Sequence, residues 1–315
     1  MSTLVFLEHH DGEIQKGSLG VLAKATSLGD ADAVLVGEGV RGLAADAGRH
    51  GAKTVHVADD ASLAAPLSQP RVDVLAKLAS EYDAVFFANS VLAADVAAGL
   101  AARLDAGLNW DLVDITADFV GKRPALHDSV LVDVGWKSTP RLALFRSGSF
   151  DPQESGGEAE VRDVAVDLED FSRETTMLEQ AHAEATGPSI EDADVIVAGG
   201  RGLGAPENFT LAEELARALG GAVGATRAVV DAGWYPYSAQ IGQTGKTVSP
   251  KLYVALGISG AIQHKVGMQG SGTIVSINKD GNAPIFEYSD LCVVGDLHEI
   301  VPRLTELVNS RGNGA

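Results

Sequence analysis

Short apolar runs rich in Val, Ala, Leu and Ile recur along this chain with helix-period segments between them, and the alternation starts twice. Strand, helix, strand in succession implies βαβ units and a parallel sheet. Strands of such a sheet are covered on both faces, so they read as continuous apolar runs instead of alternating ones. In the first half the strands fall at 4–7, 33–36, 54–57 and 84–88, with helical periodicity at 20–28, 42–50, 72–80 and 92–104. Asn89 or Ser90 is placed to cap the last of these helices. From 111 onward the texture changes. Runs at 111–115, 129–134, 141–145 and 161–168 follow without helices, which predicts additional, partly antiparallel strands on the same domain. The Gly-rich acidic stretch 147–160 reads as an exposed loop. Gly187-Pro188 punctuates the chain, and the domain boundary is expected there, giving an N-terminal α/β domain, 1–187, and a C-terminal domain, 188–315. Alternation restarts at 194–198 and continues through 208–219, 222–226, 252–257, 273–278 and 291–295 to a closing helix at 298–309, which predicts a doubly wound, Rossmann-like domain.

Composition narrows the partners. With 315 residues and 45% hydrophobic content, the chain can build two cores. A net charge of −19 opposes nucleic-acid backbones and anionic membrane surfaces. The single cysteine, Cys292, excludes an intrachain disulfide and a Cys-based zinc site, and its apolar run predicts a buried thiol. No metal-ligand cluster is apparent. No basic, long apolar or Arg-rich leader precedes the first strand, so a bacterial cytoplasmic protein is expected.

Chemistry concentrates in the last third. The run Val195-Ile196-Val197-Ala198 enters the glycine-rich turn Gly199-Gly200-Arg201-Gly202-Leu203-Gly204. Bare backbone in such a turn approaches phosphate closely, and a following helix N-terminus favours negative charge. The glycine spacing is not that of the dinucleotide fingerprint. The next strand ends at Thr226-Arg227, where an NAD site wants an acid; Arg227 suits the 2′-phosphate of NADP, a flavin or an ordinary surface salt bridge. Gln240-Ile241-Gly242-Gln243-Thr244-Gly245-Lys246 is rich in amide and hydroxyl groups but fails the spacing of a Walker A loop. In Gly257-Ile258-Ser259-Gly260-Ala261, Ala261 breaks the nucleophile-elbow pattern, so Ser259 reads as a cap or phosphate ligand. His264 follows, and Asn278 and Asp296 end the next two strands. Ligands of open α/β sheets gather at the carboxyl ends of strands. Arg201, Thr226, Arg227, Ser259, Asn278 and Asp296 all stand there.

Between Gly199 and Asp296 the chain closely resembles the α subunit of electron transfer flavoproteins. The resemblance rests on the four segments just quoted, with Val229-Val230-Asp231-Ala232-Gly233, Glu207-Asn208-Phe209, Ile277-Asn278-Lys279-Asp280 and Ala283-Pro284-Ile285-Phe286. The first 187 residues fit the family loosely, in length and texture. The resemblance implies a heterodimer with a β subunit, one FAD held mainly by the C-terminal domain, and an AMP in the β subunit. It places Arg227 against the isoalloxazine, Thr244 near N5 with Gln243 close by, and His264 toward the O2/N1 side. Arg201, Thr226, Ser259, Asn278 and Asp296 would hold the pyrophosphate, ribityl or adenosine parts, and Gln240, Gly257, Gly260 and Gln263 belong to the same cofactor-binding set. Thr226 stands where the family often has Ser, which keeps the hydroxyl. The implied activity is electron transfer from flavin dehydrogenases, such as the acyl-CoA dehydrogenases of fatty acid β-oxidation, to a quinone oxidoreductase of the respiratory chain. No substrate-transforming site is expected.

A cation beside the N1–C2=O2 end of a flavin stabilises the reduced ring and raises its potential. One charge at about 4 Å and an effective dielectric near 20 amounts to roughly 4 kcal/mol, an upper bound of about 170 mV. Two other readings compete: an NADP-dependent oxidoreductase and a nucleotide-binding regulatory module.

Overall fold

The computed structural model describes residues 2–126, 128–179, 189–191 and 193–312. It divides into two compact units, Met1–His182 and Ala183–Ala315. The expected boundary at Gly187-Pro188 lies outside the described residues. Both units are α/β with parallel sheets.

The first unit is built on seven strands in the order Glu160–Asp163, Thr54–Asp59, Asp30–Gly37, Ser2–Phe6, Ala84–Ala88, Arg141–Phe145 and Leu108–Leu112. Neighbours run parallel throughout. Alternate side chains of the first strand feed two cores: Val5 joins one with helix Lys16–Leu28, and Leu4 and Phe6 join the other with helices Ser68–Ala79 and Val91–Leu104. Burial on both faces is why that strand reads as an unbroken apolar run. Ser90, not Asn89, caps helix Val91–Leu104; its Oγ accepts from the Ala93 amide at 2.9 Å.

The expected antiparallel strands are only partly where the pattern put them. Leu108–Leu112, Arg141–Phe145 and Glu160–Asp163 all join the parallel sheet. The antiparallel part is a separate three-stranded sheet of Asp114–Ile115, Gly121–Ala125 and Val130–Val134. The acidic stretch 147–160 is the mostly exposed loop expected, but it is tethered. The amides of Ser155 and Gly156 donate to Arg49 O at 2.8 and 3.1 Å. A Cβ on Gly20 would lie 2.2 Å from Phe150 O, and one on Gly48 2.7 Å from Ala159 N. Two helix glycines therefore open the groove in which this strap lies.

The second unit has six parallel strands: Val195–Gly199, Ala222–Thr226, Gln240–Ile241, Leu252–Leu256, Thr273–Asn278 and Leu291–Val294. Numbered in chain order they lie 3-2-1-4-5-6, the order of dinucleotide-binding folds. Helices Phe209–Ala218 and Leu297–Gly312 contribute to the core on one face. The apolar residues Phe209, Ala212, Leu215 and Ala216 of the first are spaced to form the stripe it buries. The opposite core is closed by loops and single turns through Val248, Ile258, Met268 and Ile285. The last strand is a sheet edge, and there Cys292 is exposed, correcting the expectation of a buried thiol. Its apolar neighbours Leu291 and Val294 are exposed as well. Among the described residues no helix is long and apolar enough to cross a membrane.

Candidate functional site

Strand order reverses between Val195–Gly199 and its neighbour Leu252–Leu256, and a crevice is expected beyond their carboxyl ends. A cavity of about 620 Å³ opens there, within the range of small-molecule sites. Its walls are the loops after four of the six strands and the turn 241–244.

The two loops flanking the reversal touch backbone to backbone. Gly202 N donates to Gly257 O at 2.9 Å, and a Cβ on Gly202 would sit 2.5 Å from Gly257 Cα. Gly257 itself has φ +61°, a conformation that glycine adopts without strain. A side chain at either position would push the loops apart. Arg201, in the first loop, lines the cavity and is exposed, and among the described residues it ion-pairs with no carboxylate. An unpaired guanidinium over bare backbone suits an anionic group such as a pyrophosphate.

Ten of the thirteen residues read from the sequence line this cavity: Arg201, Thr226, Arg227, Gln243, Thr244, Gly257, Ser259, Gln263, His264 and Asn278. Arg227 opens the single turn Arg227–Val230 and is held by Asp231, with Nε 3.1 Å from Oδ2. Asn278 lines the wall and braces it: Nδ2 donates to Ile258 O at 2.9 Å. Gln243 is anchored through its backbone N–H, which donates to the Gln263 carbonyl oxygen at 2.7 Å.

The remaining three stand outside the lining. Gln240 is buried behind the turn, with Nε2 donating to Thr244 O at 3.0 Å and to Thr244 Oγ1 at 3.2 Å. Gly260 supports the loop, since a Cβ there would meet Ile285 N at 2.3 Å. Asp296 accepts from the His298 amide at 2.9 Å at the start of the closing helix. Asp231 and Asp280 line the cavity and were not singled out. The spacing of Arg227 and Asp231, i and i+4, was the available signal for the first.

His264 is a wall residue with both ring nitrogens engaged. Nδ1 lies 3.0 Å from Ile241 O and Nε2 2.9 Å from Tyr253 Oη. A carbonyl only accepts, so Nδ1 carries the proton and Nε2 of the neutral ring accepts from the Tyr253 hydroxyl. Burial pushes the imidazole pKa from 6.5 down to about 4, and pushes the fully buried Tyr253 hydroxyl up. The ring is therefore neutral at pH 7, and the positive charge on the cavity wall comes from Arg201 and Arg227. Lys246 contributes none: it is absent from the lining and its Nζ lies 2.8 Å from Glu191 Oε2.

Comparison with known proteins agrees with this geometry. The family model described as "Electron transfer flavoprotein domain" matches residues 3–169, and "Electron transfer flavoprotein FAD-binding domain" matches 189–269. The chain is 42% identical to "Electron transfer flavoprotein subunit alpha" of Mycobacterium leprae, over 98% of each chain. The chain belongs to the electron transfer flavoprotein α-subunit family. It is also 38% identical to "Protein FixB" of Clostridium saccharobutylicum, over 95% of this chain and 94% of that one. With "Electron transfer flavoprotein subunit alpha, mitochondrial" of Oryza sativa subsp. indica it shares 38% identity over 96% and 89%.

The residues of the cavity fit the cofactor named in that FAD-binding domain. The Arg201 guanidinium answers a pyrophosphate, Arg227 brings a second positive charge to the wall, the glycine contacts keep the loops bare, and hydroxyl and amide groups of Thr226, Gln243, Thr244 and Ser259 line the rest.

Proposed function

We propose that the second unit binds one FAD in this cavity and that the chain works as an electron carrier in a heterodimer with a β subunit. The observation that carries the reading is the pairing of glycine loops at the strand-order reversal, with Arg201 in the first of them ion-paired with no carboxylate among the described residues. Within it, Arg201 and the hydroxyls of Ser259 and Thr226 take the pyrophosphate and ribityl side, with Asn278 bracing the loop that carries Ser259. Arg227 lies against the isoalloxazine with Asp231 holding its guanidinium, and the Thr244 hydroxyl reaches N5 with Gln243 beside it. His264, neutral through burial, closes the wall on the O2/N1 side. Asp296, Gly260 and Gln240 act from behind, through helix start, loop and turn. When bound, the flavin supplies the one-electron chemistry; the protein's part is to bind it, orient it and set the charge around it.

In this reading donors are flavin dehydrogenases such as acyl-CoA dehydrogenases, the acceptor is a quinone oxidoreductase, and the β subunit carries an AMP. The N-terminal domain meets the β subunit, the boundary lies near Gly187-Pro188, and the complex works in a bacterial cytoplasm.

The test is stepwise reduction of the complex purified with its partner subunit, with reduced acyl-CoA dehydrogenase as the donor. Flavin bands that bleach on mixing, and return on adding a quinone oxidoreductase, support the carrier. Flavin that the dehydrogenase leaves oxidised, while dithionite reduces it, removes that donor class; a colourless complex that binds NADP returns the NADP reading.

A further inference from the structure

Gln240 is buried, 2% exposed, yet only its nitrogen is used. Its Nε2 donates to Thr244 O at 3.0 Å and Thr244 Oγ1 at 3.2 Å, whereas its Oε1 is buried without a hydrogen-bond partner among the described residues. The amide cannot be turned round to relieve this. Thr244 O is a carbonyl and only accepts, so the nitrogen has to face it. The same carbonyl also takes the Tyr237 hydroxyl at 2.9 Å. The turn that carries these groups is tight, with Lys246 N donating to Gln240 O at 2.8 Å and Gly245 so close that a Cβ would lie 2.3 Å from that oxygen.

This arrangement has a consequence for the Thr244 hydroxyl. An oxygen that accepts from Gln240 Nε2 cannot donate its own proton back to that nitrogen. The proton turns elsewhere, and Thr244 lines the cavity. An unsatisfied buried acceptor is destabilising, and an apolar side chain of the same shape would remove that penalty. What only the amide provides is the pair of donated bonds that orient Thr244.

We propose that Gln240 is a positioning residue that fixes the polarity of the Thr244 hydroxyl, acceptor on the protein side and donor on the cavity side. The atom it serves is an acceptor without a proton, such as the unprotonated N5 of the oxidised ring. The inference rests on the FAD reading above and adds to it the residue that decides which way the hydroxyl points. Gln240 touches no cofactor; it acts through Thr244.

The test uses the full chain with its partner subunit, as wild type and as Gln240→Met, Gln240→Glu, Thr244→Val and the Gln240→Met/Thr244→Val double variant. The readouts are the FAD dissociation constant of the cofactor-stripped complex and the nitrogen-15 resonance of N5 in labelled FAD, which reports a hydrogen bond at that atom. Thr244→Val is expected to move the N5 resonance to its unbonded position and to weaken FAD binding about fivefold to tenfold. Gln240→Met reproduces both changes with an unaltered melting temperature, and the double variant adds nothing further. Gln240→Glu gives the same loss, because a carboxylate accepts the hydroxyl proton and turns it from the cavity. An N5 resonance left in place by Gln240→Met but moved by Thr244→Val overturns the inference and leaves the FAD site standing. Losses that add in the double variant make Gln240 a structural residue only, and overturn it too. A wild-type complex that takes up no FAD overturns both readings together.

Discussion

His264→Gln should change how the second unit responds to acid. Burial holds the folded imidazole at about 4 against 6.5 for the exposed ring. As pH falls the unfolded chain takes up the proton first, so the neutral buried ring favours folding fully above about pH 6.5 and loses that advantage progressively down to about pH 4. Each pH unit is about 1.4 kcal/mol, so the whole span is about 3 kcal/mol. About 2 kcal/mol of it falls between pH 7.5 and pH 5. The assay is amide hydrogen exchange in strand Leu252–Leu256, which carries Tyr253, on FAD-free protein at the two pH values with intrinsic exchange rates divided out. Wild type should lose about thirtyfold more protection than the variant over that interval. His9 and His56 are also pushed down by burial, but they lie in the first unit and are common to both proteins, so they cancel. Equal losses in wild type and variant would refute the reasoning, because they would mean that the ring is already accessible or already charged.

Arg227→Gln should lower the one-electron potential of the bound flavin. The charge at about 4 Å is worth between about 1 and about 4 kcal/mol according to screening, or about 40 to 170 mV. Its exposure and its bond to Asp231 place the shift at the lower end, and Asp231→Asn should move the potential upward; redox titration of the complex reads both. Gly20→Ala should release the strap without melting its helix, since the new methyl meets Phe150 O at 2.2 Å while alanine favours the helix by about 1 kcal/mol. Limited proteolysis then cuts within 150–159 in the variant first; an identical digest would mean the strap is held elsewhere.

The central strands of both parallel sheets were legible because burial on two faces leaves unbroken apolar runs, as in Leu4-Val5-Phe6 and Val195-Ile196-Val197, whereas the exposed Glu160–Asp163 and the two-residue Gln240–Ile241 carry no such run. The direction of the later strands was not. Arg141–Phe145 pairs parallel with Ala84–Ala88, more than fifty residues back, and nothing in its five residues encodes that crossover. Gly121–Ala125 was missed because Lys122-Arg123-Pro124 has no apolar run and its strand is only half-buried. Cys292 was misjudged for a related reason: an apolar run on an edge strand looks the same as one in the middle. The site was legible as a set of loops, since glycines and strand ends mark where backbone approaches a ligand. Which side chain of a loop faces the cavity was not. Gln240 and Thr244 sit four residues apart in one polar segment, and only the turn sends one inward and the other to the wall. The neutral state of His264 comes from burial, and its Nε2 partner Tyr253 lies eleven residues away on a buried strand; no local pattern announces either.

In the proposed function, the paired glycine loops and Arg201 hold one FAD. Equilibrium titration of FAD into the cofactor-stripped complex tests it most directly, with Gly202→Val as the comparison. Wild type should bind one FAD per chain and the variant at least about hundredfold more weakly, because its side chain cannot fit 2.5 Å from Gly257 Cα. FAD bound equally well by the variant, or not at all by wild type, would contradict it.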